Sequence, residues 1–266
     1  GDLFELESLK SRLADIVEWK NLTLSKGYGA QAVSAEEMYA HIVEYGTQLL
    51  PFICDTGAYL DKAAEEGKNI MFEAQLGALR DVDFGIYPFT SSSNTIAAYA
   101  PIGAGIPNRK LDNVIGIMKA YSSCVGEGPF TCELFGEAAD KLREAGSEYG
   151  AATGRPRRVG GFDVVASRYG IRVQGADFIA LTKLDILSYM EKIPICVAYE
   201  VDGVRTQEFP VGAKLDRAKP VYEYLDGWMR DISGCRKLSD LPENARKYVE
   251  FIEKSVGCPI KYISVG

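Results

Sequence analysis

The stretch Phe178-Ile-Ala-Leu-Thr-Lys-Leu-Asp185 decides the fold. It begins with four apolar residues and ends in Lys183 and Asp185. A short apolar run that stops at charged residues is typical of a strand in a buried parallel sheet, whose carboxyl end meets solvent. Ligands of open α/β proteins bind at that edge of the sheet. The charged pair therefore marks a candidate binding site.

Similar short apolar runs on both sides of this stretch alternate with glycine-rich loops and helical patterns. This alternation predicts an α/β fold with a mainly parallel sheet flanked by helices. The clearest helix is near the end of the chain, where Pro242 suits the first turn and Gly257 ends it. The predicted strands are Ile70–Glu73, Val114–Val125, Phe178–Leu184, Ile195–Glu200 and Ile260–Ser264, and further helices are predicted over Ala138–Ala145 and Phe162–Tyr169.

Residues 1–68 have a different pattern, with apolar residues at helical spacing in a charged background. Ser34 and Glu37 fit a capping box at the start of a second helix, and a third helix is predicted over Ala58–Glu66. We therefore expect a small helical subdomain over 1–68 and an α/β region over 69–266.

The composition narrows the class of protein. A net charge of −7 argues against broad binding to nucleic acid or membrane surfaces, and no apolar run approaches the roughly 20 residues of a membrane helix. The six cysteines lack Cys-x-x-Cys spacing, which favours reduced thiols in a cytoplasmic protein over disulfides or zinc. The single histidine, His41, falls in a helical pattern and is interpreted as a packing or surface residue rather than a catalytic base.

Thr182-Lys-Leu-Asp185, at the end of an apolar strand, resembles the guanine-reading motif of GTP-binding proteins. A carboxylate at a strand end can accept hydrogen bonds from the ring N–H and the exocyclic amine of guanine, and adenine offers no such pair of donors. The stem of Lys183 can pack along the purine. The alternative is a strand that simply ends in a solvated lysine and aspartate.

Gly150-Ala-Ala-Thr-Gly-Arg-Pro-Arg-Arg158 places three arginines within four positions of an acidic chain. The planar guanidinium fork binds carboxylate and phosphate, and glycine allows close approach of the backbone. The segment predicts an anion site, with a solvated basic loop as the alternative.

Two further loops have ligand-binding chemistry. The hydroxyls of Asp83-Phe-Gly-Ile-Tyr-Pro-Phe-Thr-Ser-Ser-Ser-Asn94 can donate to a phosphate, or can cap a helix or form a turn. Val125-Gly-Glu-Gly-Pro-Phe130 is a rigid loop after an apolar strand, which suits either a ligand loop or a structural turn.

In this order, these segments resemble the adenylosuccinate synthetase family over essentially all 266 residues. The resemblance implies a P-loop-NTPase-like synthetase fold that is incomplete here, and a homodimer. The motifs that carry it are Phe72-Glu-Ala-Gln-Leu-Gly77, Tyr87-Pro-Phe-Thr-Ser-Ser-Ser-Asn94, Val125-Gly-Glu-Gly-Pro-Phe130, Gly150-Ala-Ala-Thr-Gly-Arg-Pro-Arg-Arg158, Leu181-Thr-Lys-Leu-Asp185 and Ile263-Ser-Val-Gly266.

The resemblance also implies sites for three substrates. IMP would be bound by Arg155, Ser91, Gln75 and Val125. L-aspartate would be bound by the loop of Ala151, Ala152, Thr153, Gly154, Arg155, Pro156 and Arg157. GTP would be bound by Arg157, Lys183, Leu184, Asp185, Ser264, Val265 and Gly266.

The sequence departs from the family pattern at four of these motifs. Gln75 is one residue away from the usual IMP-contacting glutamine, and Ser91 replaces the usual threonine. Ala152 removes a hydroxyl from the aspartate loop, in which Thr153 remains. Cys124 precedes Val125 where an arginine is common.

The implied reaction joins IMP and aspartate. GTP phosphorylates the 6-oxygen of IMP, and the amine of aspartate then displaces that phosphate. The family's phosphate loop, catalytic residues and Mg²⁺ ligands match nothing in the chain and are expected upstream of Gly1, so the chain alone is predicted to be inactive. The alternatives are a non-catalytic purine-nucleotide-binding module and a GTPase-like switch, which rests on Thr-Lys-x-Asp alone.

Overall fold

A computed structural model describes all residues from 1 to 266. The chain divides into two compact units, Gly1–Lys68 and Asn69–Gly266. Each unit has its own set of elements, and the candidate ligand residues all lie in the second.

The first unit consists of helices. They are α1 (Leu6–Leu22), α2 (Ala35–Leu49) and α3 (Thr56–Glu65), with a π-helical turn at Thr23–Gly27. The Ser34 side chain accepts a hydrogen bond from the Glu37 amide and starts α2, as the sequence predicts. Asp55 starts α3 in the same way through the Ala58 amide, so this helix begins two residues before the predicted Ala58.

The second unit alternates strands and helices, with short 3₁₀ turns at Ala78–Arg80, Ala97–Tyr99, Asp185–Tyr189 and Leu238–Asp240. Its elements in chain order are α4 (Ala100–Gly103), β1 (Ile115–Lys119), β2 (Ser122–Cys124), α5 (Gly136–Gly146), β3 (Arg158–Gly160), β4 (Phe162–Asp163), α6 (Val164–Gln174), β5 (Phe178–Thr182), β6 (Lys192–Val201), β7 (Val204–Thr206), α7 (Ala213–Asp216), β8 (Lys219–Asp226), α8 (Glu243–Val256) and β9 (Ile260–Ile263).

The sheet that carries the site is parallel, in the order β1-β5-β9. Ile117 pairs with Ala180, and Leu181 pairs with Ile263. Helix α8 contributes Tyr248 and Ile252 to the buried core, and the Tyr248 hydroxyl donates to the Ala120 carbonyl at 2.5 Å. The predicted α/β class with a parallel sheet and flanking helices is confirmed.

The remaining strands add antiparallel pairs that the sequence did not predict. β6 is parallel to β4 but antiparallel to β7 and β8, and β2 forms a two-stranded antiparallel ribbon with β3. Alternation along one strand does not reveal the direction of its partner, which tertiary contacts decide.

Several predicted element bounds were wrong. Ile70–Glu73 is irregular rather than a strand, since the apolar run has no hydrogen-bonded partner strand. Val114–Val125 is two strands, because the chain leaves the parallel sheet at Ala120 and Tyr121 to join the ribbon. Phe162–Tyr169 begins as strand β4, and the helix starts at Val164.

Asp163 ends β4 and caps α6 from inside the core. Its carboxylate accepts from the Ala166 amide at 2.9 Å and from the Tyr199 hydroxyl at 2.6 Å. Burial raises the pKa of Asp163, and these hydrogen bonds offset the rise only in part.

Asp163→Ala is expected to lower the free energy of unfolding by about 2–4 kcal/mol. Loss of the cap costs about 1 kcal/mol, and the buried Tyr199 hydroxyl left without an acceptor costs roughly 1–3 kcal/mol more. Urea denaturation at pH 7 measures the loss. Tyr199→Phe removes the hydroxyl itself and is expected to cost less than Asp163→Ala. An equal or larger cost for Tyr199→Phe contradicts this account.

The raised pKa of Asp163 also predicts a pH dependence. Because the folded state holds this proton more tightly than the unfolded state, the contribution of Asp163 to stability is complete below the unfolded pKa of about 3.9. It is lost as the pH rises through the folded pKa. The stability of the wild type minus that of Asp163→Asn should therefore fall as the pH rises over this interval. A difference that rises with pH contradicts the prediction.

Candidate functional site

The carboxyl ends of the three parallel strands meet at one edge of the sheet. The Ala120 amide donates to the Thr182 carbonyl at 2.8 Å, which ties the end of β1 to the end of β5. The Leu184 amide donates to the Ser264 carbonyl at 3.2 Å, which ties β5 to the end of β9. Residues 119–121, 183–185 and 264–266 therefore lie side by side.

Asp185 lies at this edge with part of its carboxylate unused. The chain turns sharply after β5 because Lys183 adopts a left-handed conformation with φ of 59°, and Leu184 is then fully buried. Asp185 Oδ1 is buried and has no hydrogen-bond partner. A Cβ added to Gly266 would lie 4.0 Å from Asp185 Oδ2. Asp185 and Gly266 thus face each other, with one carboxylate oxygen left for a donor from a ligand.

Lys183 is fixed by the end of α5. Its ammonium donates to the Gly146 carbonyl at 2.6 Å and lies 3.8 Å from the Glu148 carboxylate. A cation at a helix C-terminus satisfies a free carbonyl and interacts favourably with the helix dipole. Because its ammonium is held in this way, Lys183 has a defined stem next to Asp185.

The arginine segment forms a tight turn with an exposed tip. Tyr149 and Pro156 form an antiparallel bridge, and the Gly150 amide donates to the Arg155 carbonyl at 2.8 Å. Gly154 has a φ of 64°, which a glycine adopts without strain. Residues 151–156, including the Arg155 side chain, are exposed.

Arg157 follows the tip and points into the protein. Its amide donates to the Glu148 carbonyl at 2.9 Å, and its Nη1 donates to Glu148 Oε2 at 3.1 Å. Its Nε is buried and has no hydrogen-bond partner. The guanidinium is therefore oriented on one side and has a spare donor on another.

Glu148 joins these segments from below the surface, with only 1% of its area exposed. Its Oε1 accepts from Lys119 at 2.7 Å and from the Tyr121 hydroxyl at 2.5 Å. Burial opposes its charge, but the bonds from Lys119 and Tyr121 and the charge of Lys183 outweigh burial and lower the pKa of Glu148. Glu148 is therefore a carboxylate that faces three cations.

The pKa of Tyr121 shows that Asp185 belongs to the same cluster of charged residues as Glu148 and Arg157. Burial, the Glu148 contact and then the charge of Asp185 raise the pKa of Tyr121, and Arg157 acts in the opposite direction. Both carboxylates and Arg157 thus act on one buried hydroxyl. Asp185 with its unpaired acceptor and Arg157 with its unpaired donor therefore both belong to the surroundings of the Tyr121–Glu148 pair.

A second group of loops is organised by Arg80. Its guanidinium donates to the Phe89 carbonyl at 2.5 Å, to the Val125 carbonyl at 2.9 Å and to the Glu127 carbonyl at 3.1 Å. Its own carbonyl accepts from the Ser91 hydroxyl at 2.9 Å. Arg80 therefore fixes the hydroxyl loop and the Gly/Pro loop relative to each other.

Arg158 has a structural role in the Gly/Pro loop. It pairs with both carboxylate oxygens of Glu133 and donates to the Gly126 and Gly128 carbonyls at 3.2 and 2.7 Å. In β3 it pairs with Cys124 of β2, so this loop starts next to the arginine turn. The three arginines of the segment thus differ in environment: Arg155 is exposed, Arg157 has an unpaired buried Nε, and Arg158 is paired with Glu133.

The predicted site residues fall into two groups. Arg157, Lys183, Leu184, Asp185 and Ser264–Gly266 come together at the sheet edge, and Arg80 links Ser91 to Val125. Gln75 is exposed in an irregular segment, and the structure does not associate it with either group. The structure adds four residues that the sequence pattern did not indicate, namely Lys119, Tyr121, Glu148 and Arg80.

Arg80→Met is expected to lower the free energy of unfolding by about 2–3 kcal/mol, because three loop carbonyls lose a charged donor. Thermal unfolding measures the loss. Arg205→Met, which replaces an exposed arginine of β7, is the control and should stay within about 0.5 kcal/mol of the wild type. Equal effects of the two substitutions would show that the hydrogen bonds from Arg80 do not stabilise the loops.

The parallel sheet flanked by helices places the second unit in the α/β class, and the cluster of cations lies at the carboxyl edge of that sheet. The family model described as adenylosuccinate synthetase matches residues 1–266, and the chain belongs to this family.

Known proteins of the family are similar over the whole chain. Adenylosuccinate synthetases from Nocardioides sp. and Streptococcus gordonii are 45% and 44% identical, and the match covers 100% of this chain and 62% of each of them. The solved structure of fully ligated adenylosuccinate synthetase from Plasmodium falciparum matches with a TM-score of 0.92 and 35% identity, over 100% of this chain and 63% of that one. The chain thus spans about three-fifths of the length of these relatives. It contains no helix that is both long and apolar enough to cross a membrane.

Proposed function

We propose that the protein carrying this chain ligates IMP to L-aspartate with GTP as the phosphoryl donor, and that these 266 residues supply much of the binding surface. The carrying observation is that Asp185 has an unused buried acceptor, Oδ1, that Arg157 has an unused buried donor, Nε, and that both residues act on the buried Tyr121 hydroxyl, which donates to Glu148. Family membership over the whole chain and the contacts of the site support the same assignment.

Asp185 reads the guanine base in this proposal. Its carboxylate accepts from the ring N–H and the exocyclic amine, which leaves no buried acceptor unpaired. The backbone of residues 264–266 lies beside this carboxylate, since Gly266 faces Asp185. The stem of Lys183 packs along the purine while its ammonium stays on α5.

The arginine turn binds the anionic groups. Arg157 donates its free Nε to GTP, and Glu148 holds the rest of its guanidinium. The loop from Ala151 to Arg157, with its exposed tip, closes over aspartate, and the Thr153 hydroxyl compensates for the one that Ala152 lacks. Arg155 contacts both IMP and aspartate.

The hydroxyl loop and the Gly/Pro loop bind IMP. Arg80 holds Ser91 and Val125 in fixed positions. The Ser91 hydroxyl donates to the Arg80 carbonyl, and in this proposal it exchanges that bond for one to the IMP phosphate. Gln75 completes the IMP site if the segment from Asn69 to Gly77 shifts toward it.

The proposed reaction has two steps. The γ-phosphoryl group of GTP passes to the 6-oxygen of IMP and releases GDP. The aspartate amine then attacks C6, the C–O bond breaks, and phosphate leaves with the electron pair to give adenylosuccinate. Negative charge accumulates on phosphoryl oxygens in such transfers, and fixed cations such as Arg157 stabilise it. We assign no proton-transfer step to the residues of this chain.

Mg²⁺ belongs to the proposed reaction, but the residues of this chain do not fit it. No group of three or more Asp, Glu, His or Cys side chains is placed to hold a metal ion. Glu148 already faces three cations, which leaves it unsuited as a magnesium ligand. We therefore assign the ion no ligand here.

The proposal includes a homodimer in the cytoplasm. Six free cysteines, three of them buried, suit a reducing compartment. Light scattering on the purified protein measures the assembly, and a monomeric mass at assay concentration contradicts the dimer.

The test of the function is an assay of the purified protein that carries this chain, with IMP, aspartate and GTP. We expect adenylosuccinate, GDP and phosphate in equal amounts, with little product when ATP replaces GTP. Binding of GTP without product would favour a non-catalytic nucleotide-binding module. Absence of GTP binding would overturn the assignment of the base pocket itself.

A further inference from the structure

Glu148 occupies an unusual position between two segments that bind different parts of the nucleotide in the proposed function. The Glu148 carboxylate contacts Arg157 of the arginine turn (residues 150–158). It also lies 3.8 Å from Lys183 of the base-reading segment (residues 182–185). The two segments are distant in sequence. Glu148 is the side chain through which they meet.

The anchoring of Glu148 makes this contact rigid. Ser147 adopts a left-handed conformation at the end of α5, and the Glu148 amide then donates to the Arg143 carbonyl at 2.9 Å. Lys119 and the Tyr121 hydroxyl fix the same carboxylate from the end of β1. A side chain held by its backbone and by four partners has little freedom to reorient.

The charges in this cluster do not balance. Lys119, Arg157 and Lys183 surround Glu148, and Asp185 is the second carboxylate of the group. Without Glu148 the cations would repel one another, and Arg157 would lose its only side-chain partner among the described contacts. The free Nε would then no longer be aimed at a ligand.

We propose that Glu148 is a positioning residue that orients Arg157 toward the nucleotide while it fixes Lys183 beside the base pocket. This inference rests on the proposed function, because the nucleotide it positions is GTP. Through Glu148, the orientation of Arg157 in the arginine turn depends on the position of Lys183 in the base-reading segment. Glu148 itself does not touch the substrate.

The experiment measures GTP binding to the protein that carries this chain by titration calorimetry in a double-mutant cycle. Glu148→Gln is expected to weaken GTP about 10- to 100-fold, since it removes the charge that holds Arg157. In an Arg157→Ala background the same substitution should cost less than about threefold, because Glu148 acts through Arg157. Equal losses in both backgrounds would overturn the proposal, since a merely structural role adds to the loss from Arg157→Ala.

Two further variants keep the outcome interpretable. Asp202→Asn removes one carboxylate from an exposed pair with Arg217 and should leave GTP affinity within about twofold of the wild type. Glu148→Asp keeps the charge but withdraws it by about one methylene, and replaces Glu148→Gln in the cycle if the latter does not fold. If the wild type binds no GTP, the proposed function fails as well. If the wild type binds and both Glu148 variants bind equally well, only the role of Glu148 is wrong.

Discussion

Asp185→Asn is expected to weaken GTP binding by about 10²- to 10⁴-fold and to strengthen binding of xanthosine triphosphate. The carboxylate would accept two charge-assisted hydrogen bonds from guanine, each worth about 1.5–3 kcal/mol, and every 1.4 kcal/mol is a tenfold change in affinity. An asparagine amide offers one acceptor and one donor. That pair matches the ring N–H and the 2-carbonyl of xanthine.

The structure separates this effect from damage to the fold. Asp185 Oδ1 has no hydrogen-bond partner within the protein, so the substitution removes no internal bond from that oxygen. The stability of Asp185→Asn should therefore stay within about 0.5 kcal/mol of the wild type. Calorimetric titration with GTP and xanthosine triphosphate gives the ratio of affinities, and Asp202→Asn is the matched control at an exposed site. An unchanged ratio between the two nucleotides would remove Asp185 from base recognition.

The sequence predicts the part of the fold that local signals determine. The apolar run of β5 and its charged end are visible in residues 178–185, and α8 ends at Gly257 as predicted, although Pro242 is its N-cap rather than part of the first turn. Ser34 is likewise visible as a helix cap. In each case the residues that decide the structure lie within a few positions of one another, so spacing alone carries the information.

The cluster around Glu148 could not be predicted in the same way. A glutamate after a helix is usually exposed, and nothing adjacent to Glu148 indicates that it is buried. Its partners Lys119, Arg157 and Lys183 come from three separate segments, which only the folded chain brings together. Arg80 is similar, since it acts by donating to backbone carbonyls, which any sequence provides.

Ile70–Glu73 shows the opposite error, a local signal that tertiary structure does not use. The apolar run has the composition of a strand, but a strand exists only where a neighbour accepts its hydrogen bonds. In the structure Met71 is 89% exposed, and the segment is irregular. The role of Gln75, which follows this segment, stays a prediction.

Arg155→Leu is expected to reduce kcat/KM about 10²- to 10³-fold for IMP and aspartate in the protein that carries this chain. The side chain is exposed at the tip of the arginine turn, and in the proposed function it contacts both substrates through charge-assisted bonds. Loss of such bonds to a bound anion costs about 3–4 kcal/mol, which corresponds to that range.

The environment of Arg155 makes the substitution a clean test. Its backbone carbonyl, not its side chain, closes the turn by accepting from the Gly150 amide, so Arg155→Leu should leave the turn and the stability intact to within about 0.5 kcal/mol. Arg205→Leu, at an exposed site in β7, removes the same charge elsewhere and should leave kcat/KM unchanged. Steady-state kinetics with each substrate varied in turn gives both values. If Arg155→Leu and Arg205→Leu change kcat/KM by the same factor, the loss of a surface charge explains the whole effect. The tip of the turn then does not bind substrate.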